Sequence, residues 1–153
     1  MSDRHVNDPD LIRELLTTPG RWAVVGLSSN RTRPAHAVSR RIREEFGQEI
    51  IPVNLAGESV HGETGYRSLK EIPGHVDVVD CFVNSRRVGD VVDQAIEIGA
   101  GAVWLQLGVS DQTAAARAKA AGVKVVSDIA AQGLAADKVG PAAPAKISTV
   151  TLG

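Results

Sequence analysis

Five short apolar runs constrain the fold of this 153-residue chain more than any other feature of its sequence. They lie at residues 22–27, 49–54, 75–83, 103–107 and 123–127, and helix-like segments separate them. Strands that are apolar almost throughout are typical of a parallel sheet that is buried on both faces. Right-handed crossovers between such strands place helices on both faces of the sheet. The sequence therefore predicts an α/β fold with a doubly wound, mainly parallel, five-stranded sheet.

The segments between the runs have the spacing of amphipathic helices. The clearest is at residues 87–98, where apolar residues recur at i, i+3, i+4, i+7 and i+8. Helices are also predicted at residues 10–17, 35–46 and 111–121, with a short helical turn at 68–72. Pro52 predicts that pairing of the second strand stops there, because proline has no N–H to donate.

The length of the chain fits one domain with an addition at each end. We expect residues 1–20 to hold a helix that packs on the domain, residues 21–128 to form the α/β domain, and residues 129–153 to be a variable tail. The tail alternates in polarity at residues 147–152, and a flexible tail with one short edge strand is favoured over a strand contributed to a dimer. A homodimer is a fair expectation for the whole protein, because two-fold dimers dominate soluble assemblies.

The composition argues against several classes of function. A net charge of -1, a pI of about 6.4 and 3% aromatic residues do not fit a nucleic-acid-binding protein. No apolar run has the length of a membrane span and the polar start is not a signal peptide, so we expect a cytoplasmic protein without membrane contact. The single cysteine, Cys81, excludes an intramolecular disulfide and a multi-cysteine metal site, and we interpret it as a small buried hydrophobe.

The other titratable residues form no catalytic or metal-binding pattern. Asp77 and Asp80 stand three positions apart on a predicted strand, which points them to opposite faces and argues against a shared acid–base site. His5, His61 and His75 lack the spacing of metal ligands, so we expect them on the solvated surface. The sequence therefore predicts neither catalytic residues nor a metal site.

The polar loop after the first strand is the strongest candidate for a binding site. Gly26 ends the strand, Arg31 and Arg33 supply positive charge, and Pro34 begins a helix that carries His36. Free N–H groups and the positive end of the helix dipole favour an anion at such a helix start. We interpret this loop as an anion site for a nucleotide pyrophosphate.

Both familiar nucleotide signatures are absent from this loop. Gly26 stands alone where the dinucleotide fingerprint needs G-x-G-x-x-G, and the P-loop pattern is missing. NAD sites also place an acid at the end of the second strand, where this chain has Asn54, with Glu58 as the nearest acid. Ligands of such sheets lie beyond the carboxyl ends of the strands, so further candidates are Asn54, 83–87, 106–108 and Asp128.

A series of motifs between residues 21 and 128 is similar to one known family. The motifs are AVVGLS at 23–28, RP at 33–34, IPVN at 51–54, VDVVD at 76–80, WLQLGV at 104–109 and AARA at 115–118. In these the chain resembles the small single-domain bacterial CoA-binding proteins, which are related to the CoA-binding domain of the succinyl-CoA synthetase alpha subunit. The resemblance implies a Rossmann-like fold that binds coenzyme A (CoA), in a family where many members have no known catalytic activity.

The resemblance also implies roles for individual residues. The backbone would approach the phosphates of CoA at Gly26, Leu27 and Ser28. Charge for the phosphates would come from Arg31, Arg33 and His36, and the ribose or a second phosphate-binding turn would lie beside Asn54. The adenine and the 3′-phosphate would be bordered by Val83, Arg86 and Arg87. The pantetheine side would be lined by Gln106, Leu107 and Gly108.

One departure from the family pattern follows the fifth strand. Family members usually continue with Asp-Arg-Cys, whereas this chain keeps Asp128 but has Ile129 and Ala130. The resemblance implies that the protein binds CoA or an acyl-CoA as a non-catalytic carrier, sensor or regulatory module. The alternatives are an acyl-CoA-linked enzyme or an NAD(P)-binding oxidoreductase, and an interaction domain that has lost its ligand.

Overall fold

A computed structural model describes residues 9–106 and 111–127 of the chain. Within these residues the helices are α1 (Pro9–Thr17), α2 (Pro34–Phe46), α3 (Ser85–Glu97) and α4 (Gln112–Ala120). The strands are β1 (Arg21–Val25), β2 (Glu49–Val53), β3 (Val78–Cys81), β4 (Ala102–Leu105) and β5 (Lys124–Ser127). A short 3₁₀ turn, Leu69–Glu71, lies in the irregular segment after β2. Each helix and strand predicted within the described ranges is present, although several end at different residues.

The sheet is parallel throughout, with the strand order β2-β1-β3-β4-β5. β1 pairs with β2 on one side and with β3 on the other, so that Val25 lies opposite both Val53 and Cys81. The strand order therefore reverses at β1, and the carboxyl ends of β1 and β3 form the switch point at which doubly wound sheets bind ligands. The predicted Rossmann-like, doubly wound architecture is confirmed.

Alternate residues of the strands enter two separate cores, one on each face of the sheet. In β1, Trp22 and Val24 pack with α1 and α2, whereas Ala23 and Val25 pack with α3 and α4. The core beneath α1 and α2 also holds Trp104, whose ring centroid lies 5.7 Å from that of Trp22. Burial on both faces explains why the strands are apolar throughout rather than alternating.

A buried glutamine fixes α1 to the rest of the domain. Gln48 is 2% exposed and donates from Nε2 to the carbonyls of Leu16 and Thr18 at 2.8 and 2.9 Å. Its Oε1 accepts the N–H of Gly20 at 2.8 Å. These bonds satisfy carbonyls at the end of α1 that have no partner within the helix. The domain bounds stay a prediction, and the tail at 129–153 lies outside the described residues.

The prediction that strand pairing stops at Pro52 is wrong by one residue. Val53 still pairs with Val25, and Gly26 donates its N–H to the carbonyl of Val53 at 2.8 Å. β2 is an edge strand, and the Pro52 carbonyl accepts the N–H of Tyr66 at 3.0 Å on the outer side. The missing N–H of proline also lies on that outer side, so no hydrogen bond to β1 is lost.

Candidate functional site

A cavity of about 740 Å³ opens at the carboxyl ends of β1, β2, β3 and β4. It lies at the switch point beside β1, and its volume is that of a small-molecule or cofactor site. The residues predicted from the sequence that line it are Gly26, Ser28, Arg33, Asn54, Val83, Arg87 and Gln106. The structure therefore brings together residues from four separate stretches of the sequence.

Gly26 allows the chain to turn from β1 into the cavity wall. Its φ is +98°, and a Cβ atom at this position would lie 2.3 Å from the carbonyl oxygen of Phe82. Phe82 itself donates its N–H to the carbonyl of Val25 at 2.9 Å, which holds the two strand ends together. Only glycine combines this backbone conformation with so close an approach of two strands.

Polar residues of the loop after Gly26 hold one another in place. The N–H of Thr32 donates to Asn30 Oδ1 at 3.0 Å, and the N–H of Asn30 donates to Ser28 Oγ at 3.3 Å. Arg33 is the N-cap residue of α2 and contributes no side-chain acceptor, and the first turn of α2 contains no acidic residue. Among the described residues, no carboxylate therefore offsets the positive end of the α2 dipole by capping it, which favours an anion beside it.

Asn54 connects two walls of the cavity. Its Nδ2 donates to the carbonyls of Leu27 and Glu58, both at 2.9 Å, and its Oδ1 accepts the N–H of Glu58 at 2.8 Å. The carboxylate of Glu58 in turn accepts the N–H of Ser29 at 2.9 Å. Both N–H groups of the Asn54 amide are thus used within the protein. Asn54 positions the loop, and its contact with a ribose stays a prediction.

Three arginines from different segments border the cavity. Arg33 precedes α2, Arg67 lies in the irregular segment after β2, and Arg87 lies in the first turn of α3. Across residues 9–106 and 111–127, none of the three guanidinium groups has an ion pair or a hydrogen bond. Glu58 is the one acidic side chain among the described lining residues. This excess of positive charge favours a ligand that carries several phosphate groups.

Asn84 organises the start of α3 at the cavity. Its Oδ1 accepts the N–H groups of Arg86 and Arg87 at 3.0 and 3.2 Å, as expected of an N-cap residue. Arg87 lines the cavity together with Asn84, whereas Arg86 does not. The sequence prediction placed residue 84 among the candidates at 83–87 but began this helix at residue 87. It therefore missed the capping role of Asn84, although an asparagine before an apolar periodic segment is an N-cap signal.

The remaining predicted site residues lie elsewhere. Leu27 is fully buried in the core beneath α1 and α2, and it reaches the site only through its carbonyl, which binds Asn54. Two further residues, Arg31 and His36, are absent from the cavity lining, as is Arg86. Leu107, Gly108 and Asp128 lie outside the described residues. The roles of these residues in binding stay predictions.

His61 differs from its predicted place on the open surface. With Gly62 it forms a two-residue turn in which both φ angles are positive, +57° and +77°. Two backbone hydrogen bonds between Val60 and Glu63 close the turn. His61 Nε2 lies 3.0 Å from the Oγ of buried Ser39 on α2, so the turn is attached to that helix.

His36 and His61 form a pair beside the start of α2. Their ring centroids are 4.5 Å apart. Burial, reinforced by the charge of His36, lowers the pKa of His61. Burial, reinforced by the charges of Arg31 and Arg40, also lowers the pKa of His36. Both effects have the same direction, so the folded state favours the neutral form of both rings.

Two buried polar side chains meet at the end of β4. Asp80 in β3 is 1% exposed and Gln106 is 6% exposed, and Gln106 Nε2 donates to Asp80 Oδ1. Gln106 Oε1 is buried and has no hydrogen-bond partner among the described residues. The neighbouring Cys81 is fully buried, as predicted, and its burial together with the charge of Asp80 raises the pKa of its thiol.

The sequence prediction missed nine of the described lining residues. The missed residues at strand ends could be predicted once the strand bounds are known, because ligands of such sheets bind beyond the carboxyl ends of the strands. The missed residues after β2 belong to a segment whose sequence has no periodicity. The path of that segment depends on Asn54 and on the pairing of Tyr66 with the edge of β2. The missed residues are Val25, Pro34, Ala35, Val53, Leu55, Ala56, Glu58, Arg67 and Phe82.

The described part of the chain lacks both a cluster of metal ligands and a membrane-spanning helix. Nowhere in it do three or more His, Cys, Asp or Glu side chains come together as metal ligands. None of the helices described above is both long and apolar enough to cross a bilayer. The polar side chains of the described cavity lining are those of Ser28, Arg33, Asn54, Glu58, Arg67, Asn84, Arg87 and Gln106.

Comparison with known proteins identifies relatives over most of the chain. A family model described as a CoA binding domain matches residues 20–130. The uncharacterized protein YneT of Bacillus subtilis is 36% identical over 118 residues, which are 77% of this chain and 87% of that protein. A solved structure of a hypothetical protein from Pyrococcus horikoshii has a TM-score of 0.75 at 34% identity, with 82% of this chain and 91% of that chain covered.

One relative shares only part of its own length with this chain. The acetate–CoA ligase (ADP-forming) II subunit alpha of Pyrococcus furiosus is 33% identical over 81 residues. These residues are 53% of this chain but 18% of the ligase subunit. The similarity therefore concerns one region of that subunit, and the reaction of the whole ligase does not follow from it.

Proposed function

The chain belongs to the family of CoA-binding domains, and we propose that it binds coenzyme A at the carboxyl ends of β1 to β4. The observation that carries the proposal is the set of three arginines, Arg33, Arg67 and Arg87, which border the cavity without partners among the described residues. CoA has two phosphates in its pyrophosphate and a third on its ribose, so its charge matches these guanidinium groups. Arginine suits phosphate because its planar fork donates two hydrogen bonds and stays charged.

In this proposal the pyrophosphate lies at the start of α2. Gly26 and Ser28 bring the loop backbone to the cavity there, and Arg33 adds charge. The adenine and the 3′-phosphate lie nearer the start of α3, beside Val83 and Arg87. A nicotinamide dinucleotide fits less well, because the position that carries an acid in NAD sites is Asn54, whose amide is engaged by Leu27 and Glu58.

The proposed role is that of a carrier, sensor or regulatory module for CoA or an acyl-CoA. Cys81 is buried with a raised pKa, so its thiol is a poor nucleophile. Ser28 and Glu58 also line the cavity, but the described hydrogen bonds join Glu58 to Ser29 and the Ser28 hydroxyl to the N–H of Asn30, so Glu58 does not activate Ser28 as a nucleophile. A cytoplasmic location and a homodimer belong to the same proposal, and light scattering of the purified protein checks the dimer.

Calorimetric titration with CoA, acetyl-CoA, dephospho-CoA and NAD tests the proposal. We expect CoA to bind about tenfold more tightly than dephospho-CoA, because the 3′-phosphate adds a charge-assisted hydrogen bond. NAD should bind more weakly than either CoA compound. If none of these compounds binds, the proposal is overturned.

Substitution of the cavity arginines tests which residues carry the affinity. Arg67→Met and Arg87→Met should each weaken CoA binding by about tenfold or more, since each loses a charged contact with phosphate. The matched control is Arg40→Met, which changes an exposed arginine of α2 outside the cavity lining and should leave affinity unchanged. Equal affinity in all three variants would contradict the assignment of these arginines.

A further inference from the structure

A loop at residues 58–65 connects one wall of the cavity to helix α2. The two ends of the loop meet, because a Cβ atom at Gly65 would collide with the carbonyl oxygen of Glu58. Glu58, at the base of the loop, lines the cavity. Arg67 follows the loop and also lines the cavity, and its side chain packs against Gly57, just before the loop. The position of this loop therefore affects the wall of the cavity that carries Arg67.

Side chains attach the tip of the loop to α2. His61 at the tip has a φ of +57°, a conformation that costs free energy in a residue with a side chain and persists only where other contacts maintain it. Its Nε2 lies 3.0 Å from the Oγ of Ser39, and its ring centroid lies 4.5 Å from that of His36. Glu63 adds an ion pair with Arg43 at 3.2 Å. Three side-chain contacts thus hold the tip against the helix.

The Ser39 hydroxyl determines which nitrogen of His61 carries the hydrogen. Ser39 donates its single hydroxyl proton to the carbonyl of His36 at 3.1 Å. Toward His61 its oxygen can therefore only accept, so Nε2 carries the hydrogen of the neutral ring. A further proton must go to Nδ1, and it would make the ring a cation beside a second histidine.

The surroundings of the two rings oppose such a charge. Burial and neighbouring positive charge lower the pKa of His36. Burial and the charge of His36 lower the pKa of His61, and the carbonyl of His36 offsets this only in part. The carboxylate of Glu63 is paired with Arg43, so a proton on His61 has to share it. The cations that act on the two rings are Arg31 in the loop after β1 and Arg40 and Arg43 on α2.

We propose that the contact between His36 and His61 is a proton-sensitive latch, which holds the loop at 58–65 against α2 while both rings are neutral and releases it when either ring takes up a proton. A charged ring is more stable in water than beside the other cations, so protonation separates the two rings. The loop then shifts, and Glu58 and Arg67 shift with it. The affinity of the cavity for its ligand therefore falls as pH falls.

The inference rests on the proposed binding of CoA and adds a regulation of that site. Because coupling between two sites is reciprocal, a ligand that favours the closed latch also displaces protons from the two rings. The latch would make binding respond to acidification without any titratable group in contact with the ligand.

The pH dependence of CoA affinity tests the latch. Calorimetric titrations compare wild type with His61→Asn at pH 7.5 and pH 5.5, well below the melting temperature of each protein. We expect the affinity of wild type to fall about threefold more than that of His61→Asn, because an additional proton is linked to binding. The phosphate monoester of CoA also titrates in this range, but it does so equally for every variant.

Two further variants complete the series. His36→Asn removes the other ring of the pair and should reduce the pH dependence as His61→Asn does. The matched control is His75→Asn, which removes a histidine that lies outside the loop, 3.4 Å from Asp77. This control should keep the pH dependence of wild type.

Amide NMR signals of the loop test the latch without any ligand. Between pH 7.5 and pH 5.5 the signals of residues 59–64 should move together with the imidazole signals of His36 and His61. In His36→Asn the loop signals should move less, because one of the two titrating rings is absent. Loop signals that do not respond to pH in wild type would overturn the latch.

The outcomes distinguish failure of the inference from failure of the proposed function. A wild-type protein that binds no CoA at pH 7.5 overturns the proposed function, and the loop signals then test the latch by themselves. Binding of CoA with the same pH dependence in wild type and all three variants overturns the inference alone. So does an affinity that rises as pH falls, because the histidines would then supply charge to phosphate. A smaller pH dependence in the His36 and His61 variants, but not in His75→Asn, supports the latch.

Discussion

At the scale of single residues, Gly26 is a position that both the backbone conformation and the surrounding atoms restrict to glycine. Two requirements coincide there, a φ of +98° and an approach of Phe82 that leaves no room for a Cβ atom. The hydrogen bond from the Gly26 N–H to Val53 fixes the same residue from the other side. The turn that opens the cavity therefore depends on the absence of one side-chain carbon.

Replacement of Gly26 separates the steric requirement from the conformational one. We expect Gly26→Ala to lower the free energy of unfolding by about 3 kcal/mol or more, since strain and a backbone clash add. The control is Gly122→Ala, where φ is +85° but nothing lies within 4 Å of the added carbon. That variant should lose about 1 kcal/mol, from the backbone conformation alone. Urea unfolding measures both, and equal losses would contradict the steric argument.

At the scale of elements, the start of α3 lies where a helix cap meets the cavity that we propose binds CoA. Asn84 caps the helix through two backbone N–H groups and also borders the cavity beside Arg87. The first turn of α3 contains no acidic residue, so the positive charge of Arg87 adds to the positive end of the helix dipole. An anionic ligand would offset both.

Two substitutions at Asn84 distinguish the helix cap from the proposed binding. Asn84→Ala removes the cap and should lower the free energy of unfolding by about 1 kcal/mol. Asn84→Asp keeps the cap and the stability, but its carboxylate would repel phosphates and neutralise part of the charge of Arg87. Binding of CoA should therefore weaken in Asn84→Asp while its melting temperature stays close to that of the wild type. Unchanged CoA affinity in this variant would argue against phosphate at the start of α3.

At the scale of the whole molecule, the irregular segment after β2 depends on contacts with distant elements. The His61 turn binds Ser39 of α2, and Glu63 forms an ion pair with Arg43 of α2 at 3.2 Å. Glu58 bonds to the loop after β1 through the N–H of Ser29. One wall of the cavity is therefore held through α2 and through that loop, neither of which is its neighbour in the sequence.

The lowered pKa values of His36 and His61 should make the stability of the fold depend on pH below neutrality. The pKa values of His36 and His61 are lowered in the folded state, so the unfolded chain binds more protons below the ordinary value of 6.5. The free energy of unfolding should therefore fall as pH falls from about 6.5 toward the folded-state pKa values. Melting temperatures recorded between pH 7.5 and pH 5.5 measure this decrease.

The variant His61→Asn provides the comparison for the pH series. Asparagine tolerates the left-handed backbone of this turn and carries no titratable ring. The melting temperature of the variant should change less over the same pH range, because one group with a lowered pKa is removed. The same pH dependence in both proteins would show that other groups cause it.

Much of the fold could be predicted because the helices and strands follow from patterns within short stretches of the sequence. Each strand is an apolar run and each helix has a periodic apolar face, as in α3, so their existence and their parallel order follow from patterns in short windows. The strand ends were less certain, since the end of β2 depends on which side of Pro52 faces β1. Gly26, Arg33 and Arg87 were identified as site residues because they lie at strand ends and helix starts.

The rest of the site could not be predicted from local patterns. Arg67 follows no strand or helix signal, and it reaches the cavity because Tyr66 pairs with the edge of β2. The bond between Asp80 and Gln106 joins residues that are 26 positions apart, on two neighbouring strands. Such contacts depend on the order of the strands in the sheet and on the tertiary contacts that position the long loops. A short stretch of sequence determines neither.

The sequence by itself determined the alternation of helices and strands, the burial of the sheet on both faces and the glycine turn with its basic loop. These features depend on residue type and spacing, which act over one or two turns of chain. The tertiary structure alone decided that Asn54 is engaged within the protein, that Arg67 joins Arg33 and Arg87, and that Gln106 is left with an unpaired acceptor. The physical reason is that hydrogen bonds and charges act through space, across strands that the fold places side by side.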